Sequence, residues 1–449
     1  MPISRRTLLQ SLAAAPLAAK GEKPRNFLFF AVDDLNVHLN CYGVKAVHSP
    51  NIDTIARRGM RFERAYCQYP LCNPSRASLL SGRRPPRTKV VNNLTWFRDT
   101  MPDAVTLPQH FREHGYYTAK TGKIFHEGLD DPKAWDFGGT PHQVLQAKKG
   151  DDKKARQARA DRWVKVEGEG ENEPDYKIAT QAVELLEKKH DKPFFIAVGF
   201  HKPHVPFIAP RKYFDLYDPA RMELPPDFAP RVTGKGPAFR PNFDLFIDRD
   251  APPPLAREGI AAYFAAISFM DAQVGRVLAA LDKQGLRENT VVSLFGDHGW
   301  HLGEKGMWSK MTLFEVGTHA PLLISAPGMK TAGASCATPV EFVDIYPTLS
   351  DLAGLPAPGG LDGKSLTPLL ANPNAKWDKL AYTYQVRGAI HGITVRNRRF
   401  RYTEWDEGRA GTELYDEDAD AAEMKNLAAD PKHAATVKEL KAQLTGHGF

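Results

Sequence analysis

Three clusters of polar residues in this 449-residue chain stand directly behind continuous apolar runs. "NFLFFAV" ends in Asp33 and Asp34, "PFFIAVGF" in His201, Lys202 and His204, and "TVVSLFG" in Asp297 and His298. Asp33, Asp34 and Asp297 are hard oxygen donors. Adjacent carboxylates repel unless a cation lies between them, so the set suits a divalent ion such as Ca²⁺ that would also polarise an anion's oxygen. His298 is a less usual neighbour for Ca²⁺ and reads either as a ligand or as a hydrogen-bonding partner. One Asp-Asp pair at a strand end is more often a turn. Three clusters behind three such runs are hard to explain as turns.

A fourth feature is "YPLCNPSRASLLSGRRP". The pattern predicts a short helix that opens at Cys72 and stops at Gly82. Arg76, one turn on, can fold its head back toward residue 72. A helix N-terminus and a guanidinium both favour negative charge, so a thiolate is expected to be stabilised there. Taken alone, a buried structural cysteine explains Cys72 as well.

These residues need a frame. The apolar runs lack a period of two, which fits strands buried on both faces of a sheet, and "APLLISAPG" is a fourth run of this kind. Helical patterns lie between them: "TLPQHFREHG" with Thr106 as an expected cap, "YKIATQAVELLEKKH", and a long segment from Leu255 with i, i+3, i+4 apolar spacing. Alternating strands and helices imply an α/β fold with a mostly parallel sheet covered on both faces. In such sheets ligands sit beyond the carboxyl ends of the strands, where the polar clusters fall. "AKKGDDKKARQARADRW" (147–163) reads as a solvated, charged segment, and "ELPPDFAPRVTGKGPAFRPNFD" as a long surface loop that could shape a cleft. Beyond residue 371, "GAIHGITVRNRRFRYTEW" alternates like two antiparallel strands turning near Asn397, which implies a small C-terminal α+β subdomain over 371–449.

Bulk properties set outer bounds. With 42% apolar residues the chain can bury a large core, and a net charge of +7 is mild for this length. That charge suits an acidic ligand without implying a nucleic acid. Four cysteines give no disulfide framework and no Cys-x-x-Cys metal pair. The opening "MPISRRTLLQSLAAAPLAAK" pairs Arg5 and Arg6 with a short apolar run. Residues 1–19 therefore read as a twin-arginine export signal, too short to span a bilayer, implying a periplasmic or secreted protein without stable membrane insertion. The export machinery would be a transient partner, and 22–370 the catalytic domain.

Cys72-Asn73-Pro74-Ser75-Arg76 fits the C-x-P-S-R signature of the type I sulfatases, and the chain resembles that family over nearly its whole mature length. It is most similar to the iduronate-2-sulfatases, through "LNCYGVKAVHSPNIDTIA", "TGKIFHEG", "GFHKPHVPF", "GDHGWHLGEKGMWSK" and "ELYDEDAD", in that order. The resemblance implies an alkaline-phosphatase-like fold: a large mixed, mostly parallel sheet sandwiched by helices. It implies that a formylglycine-generating enzyme oxidises Cys72 to Cα-formylglycine, whose hydrate carries two hydroxyls on one carbon. One attacks sulfur to give a sulfated intermediate; the other helps expel sulfate. Asp33, Asp34, Asp297 and His298 would bind the metal together with residue 72. Arg76 and Lys123 would hold the hydrate, His126 would take a proton from it, and His201 and Lys310 would bind the sulfate and protonate the leaving alcohol. Trp300 would form a sugar-stacking wall, with His301 and Glu304 lining the cleft and His204 a weaker candidate. The substrate would be a sulfated saccharide. A phosphomonoester or phosphonate hydrolase of the same superfold, and a non-catalytic binder of sulfated glycans, are the alternatives.

Overall fold

In the computed structural model, residues 24–143, 163–240, 245–246 and 249–447 are described. The leader over 1–19, and the charged run 147–163 except its last residue, lie outside them.

Seven strands form the main sheet. In chain order they are β1 (Asn26–Val32), β2 (Met60–Phe62), β3 (Tyr117–Gly122), β4 (Phe194–Phe200), β5 (Thr290–Gly296), β6 (Leu322–Ser325) and β7 (Ser335–Cys336). Their spatial order is β7-β2-β6-β5-β1-β4-β3. β1 pairs in parallel with β4 and β5, and β3 with β4, while β6 runs antiparallel to both β5 and β2. The sheet is thus mixed but mostly parallel. The run "APLLISAPG", read like the others from its apolar residues, is the antiparallel member. Composition reports burial on both faces and carries no direction.

Both faces of β1 are covered, as its unbroken apolar run requires. Leu28, Phe30 and Val32 face helices α1 (Pro50–Arg58), α4 (Pro174–Glu187) and α5 (Pro253–Lys283). Phe27, Phe29 and Ala31 face α2 (Cys72–Ser81), α3 (Leu107–Glu113) and α6 (Ile345–Ala353). Among the described residues α5 is the one helix long and apolar enough to cross a membrane, and most of its apolar stretch is buried in the molecule. At the start of α3, Thr106 takes the expected N-cap position but its side chain makes no capping hydrogen bond. Its hydroxyl donates instead to Asp131 Oδ2 at 2.7 Å.

The C-terminal segment is a four-stranded antiparallel meander: β8 (Ala381–Arg387), β9 (Ile390–Arg396), β10 (Phe400–Trp405) and β11 (Gly411–Asp416), followed by α7 (Ala434–Gln443). β9 and β10 are the pair expected around Asn397, and β8 and β11 extend it on either side. β8 docks on the segment before α2. Thr383 Oγ1 donates to Cys67 O at 2.5 Å and the Tyr384 amide to Gln68 O at 2.9 Å.

Candidate active site

Four adjacent parallel strands, β3, β4, β1 and β5, end at one edge, and each delivers polar residues there. Backbone bonds tie the ends together: Asp33 N to Phe200 O at 3.1 Å, Asp297 N to Val32 O at 3.1 Å and Lys123 N to Gly199 O at 2.9 Å. The approach of β3 and β4 is so close that a Cβ on Gly199 would lie 2.1 Å from Lys123 O. Asp34 adopts φ 59°, a conformation that costs about 1–3 kcal/mol and turns the chain sharply after β1. The Asp34 amide donates to Asp297 Oδ1 at 3.0 Å, and its carbonyl accepts from Tyr263 of α5 at 2.7 Å.

α2 presents Cys72 to this edge. All ten residues of the helix are buried, and Gly82 closes it in the left-handed conformation, as its place in the sequence predicts. Ser75 Oγ donates to Asp297 O at 2.5 Å. Arg76 donates to Asp297 Oδ2 at 2.8 Å, Asp33 Oδ1 at 3.3 Å, and the carbonyls of Lys123 and Ile124. Its head therefore bridges two carboxylates rather than turning back onto the thiol.

Cys72 Sγ lies 3.2 Å from Lys310 Nζ, 3.5 Å from His298 Nε2 and 3.9 Å from Asp34 Oδ1. Lys310 also donates to Asp34 Oδ1 at 2.5 Å. It comes from the end of a short ribbon, His301–Leu302 paired with Trp308–Ser309, and is flanked by Ser309 and Met311 at φ 86° and 70°. Lys123 Nζ donates to Asp33 Oδ2 at 2.5 Å. His298 faces Asp34 Oδ1 at 3.3 Å and Asp297 Oδ1 at 3.5 Å, and His204 faces Asp34 Oδ2 at 3.7 Å. Donor atoms of Asp33, Cys72 and Asp297, of Asp34, Cys72 and His298, and of Asp33, Asp34 and His204 each lie within 4.8 Å of one another. The sequence reading ranked His204 below its neighbours, yet it reaches the carboxylates.

The charges are unequal. Burial raises the Asp33 carboxyl, but the Lys123, His204 and Arg76 charges outweigh it and hold the group well below its ordinary range. Asp34 goes the other way: burial pushes it up to about 6 despite Lys310. Burial lowers His126 to about 3, with Lys123 adding to the effect, so its imidazole is neutral. His201 is also lowered by burial, against the pull of Asp175. The expectation of a stabilised thiolate fails. Burial, reinforced by the Asp33 charge, pushes Cys72 well above its ordinary value, because desolvation and carboxylates outweigh a helix N-terminus.

A cleft of about 320 Å³ borders the cluster, walled by Lys120, Lys123, His126, Glu127, Gln143 and His201, among others. His201 stands at its edge with Nδ1 3.4 Å from Glu127 Oε1. Asp175, at the start of α4, accepts from the His201 and Lys202 amides at 2.8 and 2.9 Å and so fixes the turn that carries His201. Neither Asp175 nor Tyr263 has a signal in the sequence that separates it from an ordinary helix residue.

Three expectations are corrected. Trp300 has no exposed surface, so it is not a sugar-stacking wall; its ring packs on Tyr263 with centroids 6.3 Å apart and lies 5.4 Å beneath Lys310 Nζ. His301 is buried against Thr312 Oγ1 at 2.6 Å and supports the segment carrying Lys310 rather than lining the cleft. Glu304 is buried as well, accepting from Leu302 N at 2.6 Å.

Sheet, layers and C-terminal meander are those of the alkaline-phosphatase-like α/β fold. The sulfatase family profile matches residues 25–355, and that of the N-sulphoglucosamine sulphohydrolase C-terminal region matches 303–447. The chain belongs to the sulfatase family and is a sulfuric ester hydrolase. It is 32% identical to mouse iduronate 2-sulfatase, covering 93% of each chain, and 36% identical to the human enzyme over 74% of this chain and 70% of that one. A protein crystallised with its substrate D-glucosamine-2-N,6-O-disulfate has the same fold: TM-score 0.80, 23% identity, 95% of this chain and 97% of that one covered. So does a phosphonate monoester hydrolase from Silicibacter pomeroyi: TM-score 0.77, 23% identity, 94% and 95% covered.

Proposed function

We propose that the protein hydrolyses sulfate esters on a sulfated carbohydrate, with residue 72 acting in its Cα-formylglycine form beside a divalent cation, Ca²⁺. One observation carries this reading: the Cys72 side chain heads a buried helix and touches Lys310, His298 and Asp34 at once. In the unmodified residue, Sγ stands in for the oxygens that the hydrated aldehyde would carry.

The donor set fits a hard cation. Asp34 Oδ2 is buried without a hydrogen bond, and donor atoms of Asp33, Asp34, Asp297 and His298 gather around residue 72. Asp33, Asp34, Asp297 and His298 would hold the ion, with residue 72. His298 Nδ1 lies 3.0 Å from Gly299 O, which leaves Nε2 aimed into the cluster. When bound, the cation would neutralise the carboxylates and draw charge from a sulfate oxygen. The hydrated aldehyde would supply two hydroxyls on one carbon, one to attack sulfur and one to release sulfate.

The remaining steps belong to the chain's own side chains. Neutral His126 accepts the hydroxyl proton. Lys123 and Arg76 offset the charge of Asp33 and Asp297 and keep the nucleophile's surroundings fixed. Lys310 directs its ammonium at the transferring group, and His201, at the edge of the cleft, donates a proton to the leaving alcohol. A positioned donor of this kind is worth roughly 3 kcal/mol. The carbohydrate class is supported by the mouse and human relatives named iduronate 2-sulfatase and by the fold neighbour bound to a disulfated glucosamine. The twin-arginine leader would deliver the folded, already modified enzyme to the periplasm or the exterior.

The test is sulfate release from defined sulfated mono- and disaccharides, with the matching phosphate esters as competitors. Turnover of a sulfated sugar that falls at least about 10³-fold in Cys72→Ala supports the reading. Preference for the phosphate esters, or full activity in Cys72→Ala, overturns it.

A further inference from the structure

A groove of about 410 Å³ lies on the seam between the main sheet's layer and the meander, beside the turn that joins β9 to β10. Three stretches wall it: Thr338 and Pro339 behind β7, 377–380 leading into β8, and 397–400 at the turn. It shares no wall residue with the cleft beside Cys72. The groove opens at the start of β8, whereas Gln385 and Arg387 meet the segment that carries Lys310 toward the other end of that strand. The seven residues of β8 span about 20 Å, so the groove stands well apart from the reacting centre.

Its walls combine aromatic surface with one uncommitted charge. Trp377 is half-buried against the core, with Lys364 Nζ 4.9 Å from its ring centroid, and Phe400 packs on the meander's own apolar cluster. Most charges at the seam are spent. Lys379 is engaged by Glu341 and Asp344, Asp378 by Lys364 at 2.7 Å, and Arg399 by both oxygens of Asp416 at 2.9 and 2.7 Å. Arg398 is different. It is exposed, and among the described residues no carboxylate pairs with it. Its Nη2 donates to Thr338 Oγ1 at 2.8 Å across the groove, and its carbonyl accepts from Arg64 at 2.6 Å. A neutral anchor thus holds the guanidinium in place and leaves its other N–H groups free. Asn397 Oδ1 accepts from the Arg399 and Phe400 amides at 2.9 and 2.7 Å, which fixes the side chain and leaves Nδ2 as a spare donor. A flat apolar wall, a positioned guanidinium without an acid and a free amide suit a saccharide ring that carries an oxyanion.

We propose that this groove is an accessory site for a saccharide chain, which binds one anionic sugar unit at a distance from the catalytic cleft. The ring packs on Trp377, its sulfate or carboxylate meets Arg398, and a hydroxyl accepts from Asn397. A chain held at the seam raises the local concentration of its own sulfate esters around the active site. The inference goes beyond the sulfatase reading and rests on it for the saccharide nature of the ligand.

The experiment measures calorimetric binding to the Cys72→Ala protein, in which no ester is consumed, with dextran sulfate, hyaluronan and dextran as probes. The first carries sulfates alone, the second carboxylates alone and the third neither, so the arms tell which anion is read. At least one charged chain should bind and dextran should not. Adding Arg398→Gln should weaken the charged chain about tenfold, the loss of one charge-assisted contact. Arg398→Glu should weaken it further, and Arg398→Lys should recover part of the loss. Arg398 is exposed and its side chain has a single partner, so folding is not at stake. Trp377→Leu keeps apolar bulk, loses the flat face and should weaken the same chain. In the enzyme that retains Cys72, Arg398→Gln should raise KM for a sulfated polymer and leave kcat/KM for 4-methylumbelliferyl sulfate, too short to reach the groove, at its wild-type value. Absence of sulfate release would end the sulfatase reading and leave the binding result standing. No binding of either charged chain, affinities untouched by Arg398→Gln and Arg398→Glu, or dextran bound as tightly as the charged chains would each overturn the accessory site.

Discussion

Asp34 and Asp33 are neighbours in sequence and shift in opposite directions: one is pushed up to about 6, the other held well below its ordinary range. The difference lies in their partners. Asp33 takes Lys123 and Arg76, while Asp34 keeps one oxygen without a hydrogen bond, 3.7 Å from His204, and shares Lys310 with Cys72. A cation binding to Asp34 would relieve this imbalance. Prolonged chelation should therefore lower turnover at least about tenfold and also lower Tm, because a ligand at 100 times its Kd stabilises by about 2.7 kcal/mol. Ca²⁺ should restore both, and a Tm indifferent to chelator would refute the site. His201 belongs to the same scale. Its Ala variant should lose about 10²–10⁴-fold on alkyl sulfates and far less on activated aryl sulfates, which leave without a proton. Equal losses would remove its role as an acid.

At the scale of elements, the site depends on four strand ends held in register. Gly199 has no room for a methyl group, since backbone atoms of Lys123 lie 2.1, 2.3 and 2.6 Å from where it would stand. Gly199→Ala should cost about 1–3 kcal/mol and lower activity more than stability alone explains, because it displaces Lys123. Unaltered kinetics with a lowered Tm would show that Lys123 keeps its place. Much of this frame is legible in the residues. Unbroken apolar runs mark β1, β4 and β5, and helix-stopping Gly82 marks the end of α2. Depth is not legible. "DHGWH" looks like a run of site residues, but Trp300 and His301 face inward to Tyr263 and Thr312, and strand periodicity says nothing about which side of the ribbon meets the cleft. β8 and β11 also escape, because their pairing depends on a partner surface that a single segment does not show.

At the scale of the whole molecule, a buried ion-pair cluster links the main sheet's layer to the meander. Glu341 is buried between Arg84 and Lys379 at 2.5 Å each and accepts from the Tyr382 amide at 3.1 Å at the start of β8. Burial alone would raise its carboxyl, but the Lys379 and Arg84 charges outweigh it and hold it at about 2. A depressed carboxyl stabilises the fold above its unfolded value, about 4.5, and loses that contribution as pH falls toward 2. Wild type should therefore lose more Tm between pH 5 and 3 than Glu341→Gln does. Parallel Tm curves would deny the clasp its electrostatic role. The polar clusters at strand ends made the site's members readable from sequence, and the resemblance to sulfatases gave them roles. The contact of the C-terminal meander with the segment that carries Lys310 became visible only in the folded chain, since Arg387 and Met311 are 76 residues apart.

The central claim, that residue 72 works as an aldehyde rather than a thiol, is tested most directly by measuring turnover against the extent of its conversion. The protein is produced with graded amounts of a formylglycine-generating enzyme, the converted fraction is read by mass spectrometry of the peptide containing Cys72, and sulfate release is measured on each batch. The account predicts turnover proportional to the converted fraction and extrapolating to zero for the thiol form. Equal turnover from unconverted protein would contradict it.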